Sequence, residues 1–152
     1  MRHIGLLYDL DGTLVDSDAL HLRAFAEVLR GAGVVVDDAS YRSNIAGRSN
    51  DLIIAGAYPD ASQMQRVEIA ARKEALYRAS LIAIRIVSGA ADLIQWARSQ
   101  NIRCAVVTTS PRSSAKAVLK GVNLLSSFDL LVVGDEVQRG KPDGPLPNST
   151  AC

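Results

Sequence analysis

Two carboxylates stand two residues apart at the end of a short apolar run near the start of the chain. The run, residues 4–8, is followed by Asp9, Leu10, Asp11 and Gly12. Such a run before a turn is typical of a strand buried on both faces, and glycine lets the chain turn sharply enough to bring both carboxylates to one site. Paired carboxylates attract a hard cation such as Mg²⁺, beside which one can attack phosphorus while the other transfers a proton. The segment predicts phosphoryl transfer, with Asp9 and Asp11 as catalytic residues and metal ligands.

Two other interpretations of this segment fit the residues less well. An EF-hand loop beginning at Asp9 would need Gly at its sixth position and Glu at its twelfth, where this chain has Leu14 and Leu20. A plain Asp/Gly turn after a strand remains the structural alternative. The whole string Asp-Leu-Asp-Gly-Thr-Leu-Val-Asp over residues 9–16 is more specific than such a turn requires.

Hydroxyl side chains close a second apolar run, residues 102–109. Ser110 and Pro111 follow it, and Ser before Pro at the first helical position predicts a helix with Ser110 as its N-cap. The backbone N–H groups near Thr109 and Ser110 would then form an anion site. Alone, these hydroxyls would indicate a simple helix cap; beside the first segment they predict phosphate binding by Thr108 and Thr109.

Helical periodicity fills the stretch between these two runs. Apolar stripes, capping residues and i, i+4 ion pairs predict a series of helices there, over residues 18–30, around 38–45 and 51–57, and over 62–83. From residue 88 onward helices and strands alternate, with a third strand at 130–133. We therefore predict an α/β fold, a three-layer Rossmann-like parallel-sheet core with an inserted all-helical cap. The expected core is residues 1–15 and 87–152, and the expected cap is residues 16–86.

Composition excludes several classes of protein. The 152 residues carry 17 Lys+Arg against 16 Asp+Glu, a net charge of +1, so nothing indicates a nucleic-acid or acidic-membrane partner. Two cysteines are too few for a disulfide scaffold. No signal peptide or membrane-spanning run is visible, so we expect a cytoplasmic protein.

The string of residues 9–16 resembles the first motif of the haloacid dehalogenase-like hydrolase superfamily. The helical insertion after it resembles the α-helical-cap subgroup, which includes β-phosphoglucomutase and phosphoglycolate phosphatase. The resemblance implies that Asp9 is the nucleophile that becomes an aspartyl-phosphate. It also implies that Asp11 is the general acid and base, and that its backbone carbonyl helps to hold Mg²⁺. Thr108 matches the phosphate-binding hydroxyl of the second motif.

The third motif of that superfamily is a phosphate-neutralising lysine, which Lys141 in Gly140-Lys141-Pro142 resembles. A P-loop is excluded because the spacing between Gly134 and Gly140-Lys141 is one residue too long and Pro142 stands where a P-loop requires Ser or Thr. His21 and Arg48 resemble cap residues that contact the substrate or the acid/base Asp in some members. The structural alternative for each of these three is an exposed surface side chain.

The fourth motif, an acidic pair that completes the Mg²⁺ shell, has no match. Eleven residues follow Lys141 and include three prolines, which forbid a useful helix. Asp135-Glu136 precedes Lys141 and resembles an ordinary loop. We therefore expect an incomplete core, weak activity, and self-association through an exposed sheet edge.

The predicted function is Mg²⁺-dependent hydrolysis of small phosphorylated metabolites, with sugar phosphates as the expected class. A β-phosphoglucomutase-like phosphomutase and a non-catalytic remnant or binding module remain alternatives. A receiver domain also uses a sheet-end Asp and Mg²⁺, but the long helical insertion argues against it.

Overall fold

The structure is a computed structural model in which residues 4–137 are described; the predicted site residue Lys141 lies outside them. The chain divides into two compact units. The first comprises the described residues up to Asp16 and from Arg85 onward, and the second is Ser17–Ile84. Within residues 4–137, no helix is long and apolar enough to cross a membrane.

The first unit is built on a parallel sheet. Its strands are β1 (Gly5–Tyr8), β4 (Arg103–Val107) and β5 (Leu130–Val132), in the order β1-β4-β5. Tyr8 lies opposite Val106, and Val107 lies opposite Val132, so the three strands end at the same edge of the sheet. This arrangement confirms the predicted α/β fold with a parallel sheet, and it directs the residues after each strand toward one region.

A second, two-stranded antiparallel sheet also belongs to the first unit. It pairs β2 (Val15–Asp16) with β3 (Arg85–Ile86). Sequence periodicity did not predict these strands, because two residues are too short for an alternation to register. The pairing brings together the two chain segments that flank Ser17–Ile84.

One face of the parallel sheet is well buried. Tyr8, Cys104 and Val106 are less than 9% exposed. Helices α5 (Ala90–Ser99) and α6 (Arg112–Gly121) each bury one apolar stripe, namely Ile94 and Ala97 on α5 and Ala115, Val118 and Leu119 on α6.

The other face of β1 is open, so the prediction of a strand buried on both faces is wrong. Leu7 lies on this face and is 52% exposed, while Tyr8 lies on the opposite face and is 7% exposed. The physical reason is position: among residues 4–137, β4 is the strand that pairs with β1, which places β1 at the edge of the sheet.

The second unit contains four α-helices: α1 (Asp18–Leu29), α2 (Asp38–Asn44), α3 (Asn50–Ala57) and α4 (Gln63–Ala79). Its apolar core is formed by residues of α1 and α2 and the turn after them, namely Phe25, Val28, Leu29, Tyr41 and Ile45. Helix α4 begins at a capping box, in which Ser62 and Gln65 exchange side-chain and backbone hydrogen bonds.

Helix α4 is shorter than predicted. It ends at Ala79, and Leu81–Ala83 form a separate 3₁₀ turn. The hydroxyl of Ser80 donates to the Tyr77 carbonyl at 2.7 Å, and such side-chain bonds to the backbone compete with continuation of a helix. The apolar residues 81–84 continued the helical pattern in the sequence and concealed this end.

Candidate active site

The site begins in the turn after β1. Asp9 is exposed, and its Oδ1 accepts a hydrogen bond from the Leu10 N–H at 2.8 Å. The Leu10 carbonyl accepts from the N–H groups of Leu14 at 2.9 Å and Val15 at 3.1 Å. Gly12 has a φ of +74°, a left-handed conformation that glycine adopts without strain. Leu10 and Leu14 are fully buried, so the turn is anchored while the Asp9 carboxylate faces solvent.

Asp11 is partly buried and is contacted by a residue of the loop that follows β4. The hydroxyl of Ser110 donates to Asp11 Oδ2 at 2.8 Å. The prediction that Ser110 is the N-cap of α6 is therefore wrong: Pro111 occupies the N-cap position, without a side-chain cap, and α6 begins at Arg112. The reason is that the Ser110 hydroxyl is turned toward the carboxylate of Asp11.

Thr108 and Thr109 lie beside this contact. Thr108 is 5% exposed, its N–H donates to the Val132 carbonyl at 3.0 Å, and its Oγ1 accepts from the Ser110 N–H at 3.1 Å. Gly134 packs directly on Thr109, because a Cβ at Gly134 would lie 2.2 Å from the Thr109 carbonyl oxygen. The sequence analysis missed Gly134, and the only signal for it was its place directly after the third strand.

The predicted anion site at the N-terminus of α6 needs correction. The Ser110 N–H already bonds Thr108, and the Arg112 N–H lies 3.1 and 3.2 Å from the two carboxylate oxygens of Asp135. The Arg112 guanidinium also pairs with Glu136, and this hydrogen bond lowers the pKa of the Glu136 carboxyl. A carboxylate of the chain itself thus occupies the helix terminus.

His21 and its neighbours form a buried polar group in the second unit. His21 is 7% exposed, and its Nδ1 lies 2.9 Å from Lys73 Nζ. Lys73 is 1% exposed, and its Nζ lies 2.9 Å from Glu74 Oε1, which also accepts from Asn50 at 2.8 Å. The His21 ring stacks on Tyr77 at 3.9 Å between centroids. His21 is therefore not the exposed side chain that was its structural alternative.

Lys73 was missed by the sequence analysis because a lysine on a charged helix is normally solvated. The signal that could have revealed it is its position, four residues after Ile69 and four before Tyr77, on the apolar stripe of α4. Arg48 lies in the turn between α2 and α3, where its side chain is exposed and its N–H donates to the Ile45 carbonyl at 3.0 Å.

The donors at the end of β1 fit a magnesium ion in kind. The exposed Asp9 carboxylate and the backbone carbonyl of Asp11 are oxygen ligands, and Mg²⁺ commonly uses one or two carboxylates while it retains several waters. Among residues 4–137, no group of three or more His, Cys, Asp or Glu side chains is arranged to hold a metal. Asp9 and the Asp11 carbonyl are the predicted donors that would hold the ion.

Comparison with known proteins places the chain in a family. The family model described as haloacid dehalogenase-like hydrolase matches residues 6–150. The validoxylamine A 7'-phosphate phosphatase of Streptomyces hygroscopicus subsp. limoneus is 35% identical over 148 residues, which cover 96% of this chain and 68% of that protein.

Solved structures agree with this result. CbbY from Rhodobacter sphaeroides in complex with phosphate is 28% identical and superposes with a TM-score of 0.81, over 93% of this chain and 68% of that one. A second structure of CbbY contains xylulose-(1,5)bisphosphate and has a TM-score of 0.80. The β-phosphoglucomutase of Clostridium difficile has a TM-score of 0.82 at 20% identity, with 93% and 66% coverage, a likeness of fold.

The chain thus spans about two thirds of the length of these proteins. The match over residues 6–150 and the 35% identity to a phosphatase establish the family. The chain belongs to the haloacid dehalogenase-like hydrolases.

Proposed function

We propose that this protein hydrolyses phosphate monoesters of small metabolites, with phosphorylated sugars and sugar-like compounds as its substrate class. The observation that carries the proposal is the hydrogen bond from Ser110 to Asp11, two residues that lie 99 positions apart in the chain. It crosses between the ends of β1 and β4, whose parallel register leaves Asp9, Asp11 and the buried hydroxyl of Thr108 at the same end of the sheet. Open α/β sheets bind their ligands at this end.

The reaction that we propose proceeds in two displacements. Asp9 attacks phosphorus, so an Asp9–phosphorus bond forms while the phosphorus–ester oxygen bond breaks, and the leaving oxygen takes a proton from Asp11. Asp11 then takes a proton from water, which attacks the aspartyl-phosphate and releases phosphate from Asp9. When bound, Mg²⁺ held by Asp9 and the Asp11 carbonyl would neutralise the negative charge on these groups. Thr108, Thr109 and Lys141 are the proposed phosphate-binding residues.

We propose that the second unit is the cap that selects the substrate. Its boundaries are residues 17–84 instead of the expected 16–86. The exposed Arg48 is its proposed substrate-contacting residue, and the buried His21 is proposed to act in the cap as the corresponding His of β-phosphoglucomutase-like members does. Support for a sugar-like substrate comes from relatives: one is a validoxylamine A 7'-phosphate phosphatase, and CbbY was solved with xylulose-(1,5)bisphosphate.

The test is phosphate release from a panel of sugar phosphates by the purified chain with Mg²⁺. We expect slow hydrolysis that Asp9→Asn eliminates. Asp92→Asn is the matched control, since Asp92 is an exposed carboxylate in the first turn of α5 in the same unit. Equal rates for Asp9→Asn and the parent chain would refute the assignment. Appearance of an isomeric sugar phosphate, rather than free phosphate, would support the phosphomutase alternative.

We also propose that the chain self-associates through β1. Ile4 and Leu7 are more than half exposed, and an exposed edge strand with apolar residues is a template for pairing with another chain. Size-exclusion chromatography of the chain should show oligomers, and Leu7→Lys should shift them toward monomer. A parent chain that elutes as a monomer at all concentrations would refute this proposal.

A further inference from the structure

We infer that Ser110 is a positioning residue for Asp11, holding the carboxylate in the orientation that proton transfer requires. This inference rests on the proposed function of Asp11. The donor and acceptor oxygens are 2.8 Å apart, and Ser110 is 9% exposed. A short hydrogen bond from a buried hydroxyl restricts the rotation of a carboxylate.

The backbone around Ser110 is fixed on both sides. Its N–H donates to Thr108 Oγ1 at 3.1 Å, and its carbonyl accepts from the Gly134 N–H at 3.2 Å. Pro111 follows with a φ of −62°, which its ring enforces. Because the backbone is held at three consecutive points, the Ser110 hydroxyl projects from a constant position, which a residue that orients another must do.

Asp135 makes this use of Ser110 compatible with the start of α6. A serine close to the start of a helix commonly accepts a hydrogen bond from the first free N–H groups. Here the Arg112 N–H is bonded to the Asp135 carboxylate at 3.1 and 3.2 Å. Since Asp135 stabilises the helix terminus, the Ser110 side chain can point toward Asp11 and donate to it without leaving the terminus uncapped.

The experiment compares two classes of phosphate ester in Ser110→Ala. Protonation by Asp11 is needed for a poor leaving group such as an alkoxide, and much less for p-nitrophenolate. We therefore expect kcat/KM for a sugar phosphate to fall about 10-fold, less than the roughly 10²–10⁴-fold of general acid–base catalysis because Asp11 itself is retained, while that for p-nitrophenyl phosphate falls less than about twofold. Ser110→Thr, which keeps the hydroxyl, should recover most of the loss. The control Ser99→Ala removes an exposed hydroxyl that donates to a backbone carbonyl and should change neither ester.

A second readout needs neither metal nor turnover. In metal-free protein labelled with ¹³C at aspartate carboxyl carbons, the Asp11 signal, assigned from Asp11→Asn, should move in Ser110→Ala and stay in Ser99→Ala. An unmoved signal, or equal losses with both esters, would overturn the positioning role of Ser110. Retained sugar phosphate hydrolysis in Asp11→Asn would instead refute the proposed function, whatever Ser110→Ala does to the signal. If Ser110→Ala does not fold, Ser110→Cys, a near-isostere with a weak donor, takes its place in both measurements.

Discussion

The two units place their ionisable side chains in opposite environments. At the end of β1 the Asp9 carboxylate is exposed; it accepts a hydrogen bond from the Leu10 N–H, and the Asp11 carboxylate accepts one from the Ser110 hydroxyl. In the second unit Lys73 and Glu74 are 1% and 6% exposed. Exposure leaves Asp9 accessible to the proposed substrate and cation. Lys73 and Glu74 instead form a buried ion pair, and removing their charges from water costs free energy.

This difference in burial predicts which side chains affect activity and which affect stability. A carboxylate that must attack phosphorus gains nothing from burial against its own chain, and its replacement should alter activity more than stability. A buried ion pair specifies one packing of the helices around it, and its disruption should alter stability. The predictions below test each half of this comparison.

The largest effect should come from Asp9→Asn. We expect turnover to fall by roughly 10⁴-fold or more, since removal of a nucleophile eliminates the covalent route, while the free energy of unfolding changes by less than about 0.5 kcal/mol. Phosphate release and urea unfolding measure the two quantities. A large loss of stability would show that Asp9 has a structural role and would contradict the expectation that the exposed carboxylate affects activity alone.

Lys73→Met tests the second half. Removal of one partner leaves Glu74 buried without its cation, and we expect the free energy of unfolding to fall by about 3–5 kcal/mol. Urea unfolding followed by circular dichroism measures it. Arg30→Met is the matched control, because the Arg30–Glu27 pair is exposed, with side chains 75% and 39% accessible, and such pairs contribute about 0.2–1 kcal/mol.

A double variant tests whether the loss of stability in Lys73→Met comes from the buried charge left on Glu74. Lys73→Met combined with Glu74→Gln removes both charges and keeps an acceptor for Asn50, so it should regain most of the lost stability. Failure of the double variant to recover would mean that Lys73 acts through other contacts, such as those with His21 and with the rings of Phe25 and Tyr77, rather than through Glu74.

Gly134→Ala should have an intermediate effect on the first unit. The added Cβ would lie 2.2 Å from the Thr109 carbonyl oxygen, so we expect a loss of about 1–3 kcal/mol from overpacking and weaker binding of inorganic phosphate. Gly56→Ala is the control, because a Cβ there meets nothing within 4 Å and a helical Gly→Ala change stabilises by about 0.5–1 kcal/mol. Unfolding and phosphate titrations that give the two variants the same behaviour would contradict the packing argument.

The smallest effect at neutral pH concerns Tyr8. Burial, followed by the neighbouring Cys104 thiol, raises the pKa of Tyr8 from 10.0 to about 12. Because the folded protein keeps this proton at a pH where the unfolded chain has lost it, stability should decrease as pH rises from about 10 to about 12. Tyr8→Phe should remove that part of the pH dependence, measured by urea unfolding across this range. An unchanged slope would contradict the assignment of this shift to Tyr8.

Local patterns predicted most of the fold, and contacts distant in sequence account for the errors. The apolar run of residues 4–8 and the helical stripes depend on neighbours in the chain, so the elements were found near their observed positions. The open face of β1 was not predictable, because it depends on which strands lie beside it. The end of α4 was missed since the apolar residues 81–84 continue the helical pattern past Ser80.

The same distinction applies to the site. Asp9 and Asp11 were predicted as site residues from the types of the adjacent residues 9–16 alone. The contacts of Ser110 and Lys73 were not predicted, because each is made with a partner far along the chain: Asp11 for Ser110, and His21, 52 residues away, for Lys73. Asp135, which caps α6 in place of Ser110, lies 23 residues beyond Arg112.

The most direct test of the central claim is to locate the covalent phosphoryl group. The chain is quenched during turnover of a sugar phosphate with Mg²⁺ and treated with borohydride, which reduces an acyl phosphate to an alcohol, and its peptides are then sequenced by mass spectrometry. If Asp9 is the nucleophile, we expect homoserine in place of aspartate at residue 9, and no such product in Asp9→Asn. Reduction at another carboxylate, or an unreduced phosphate ester on Thr108 or Ser110, would contradict the assignment of Asp9 as the nucleophile.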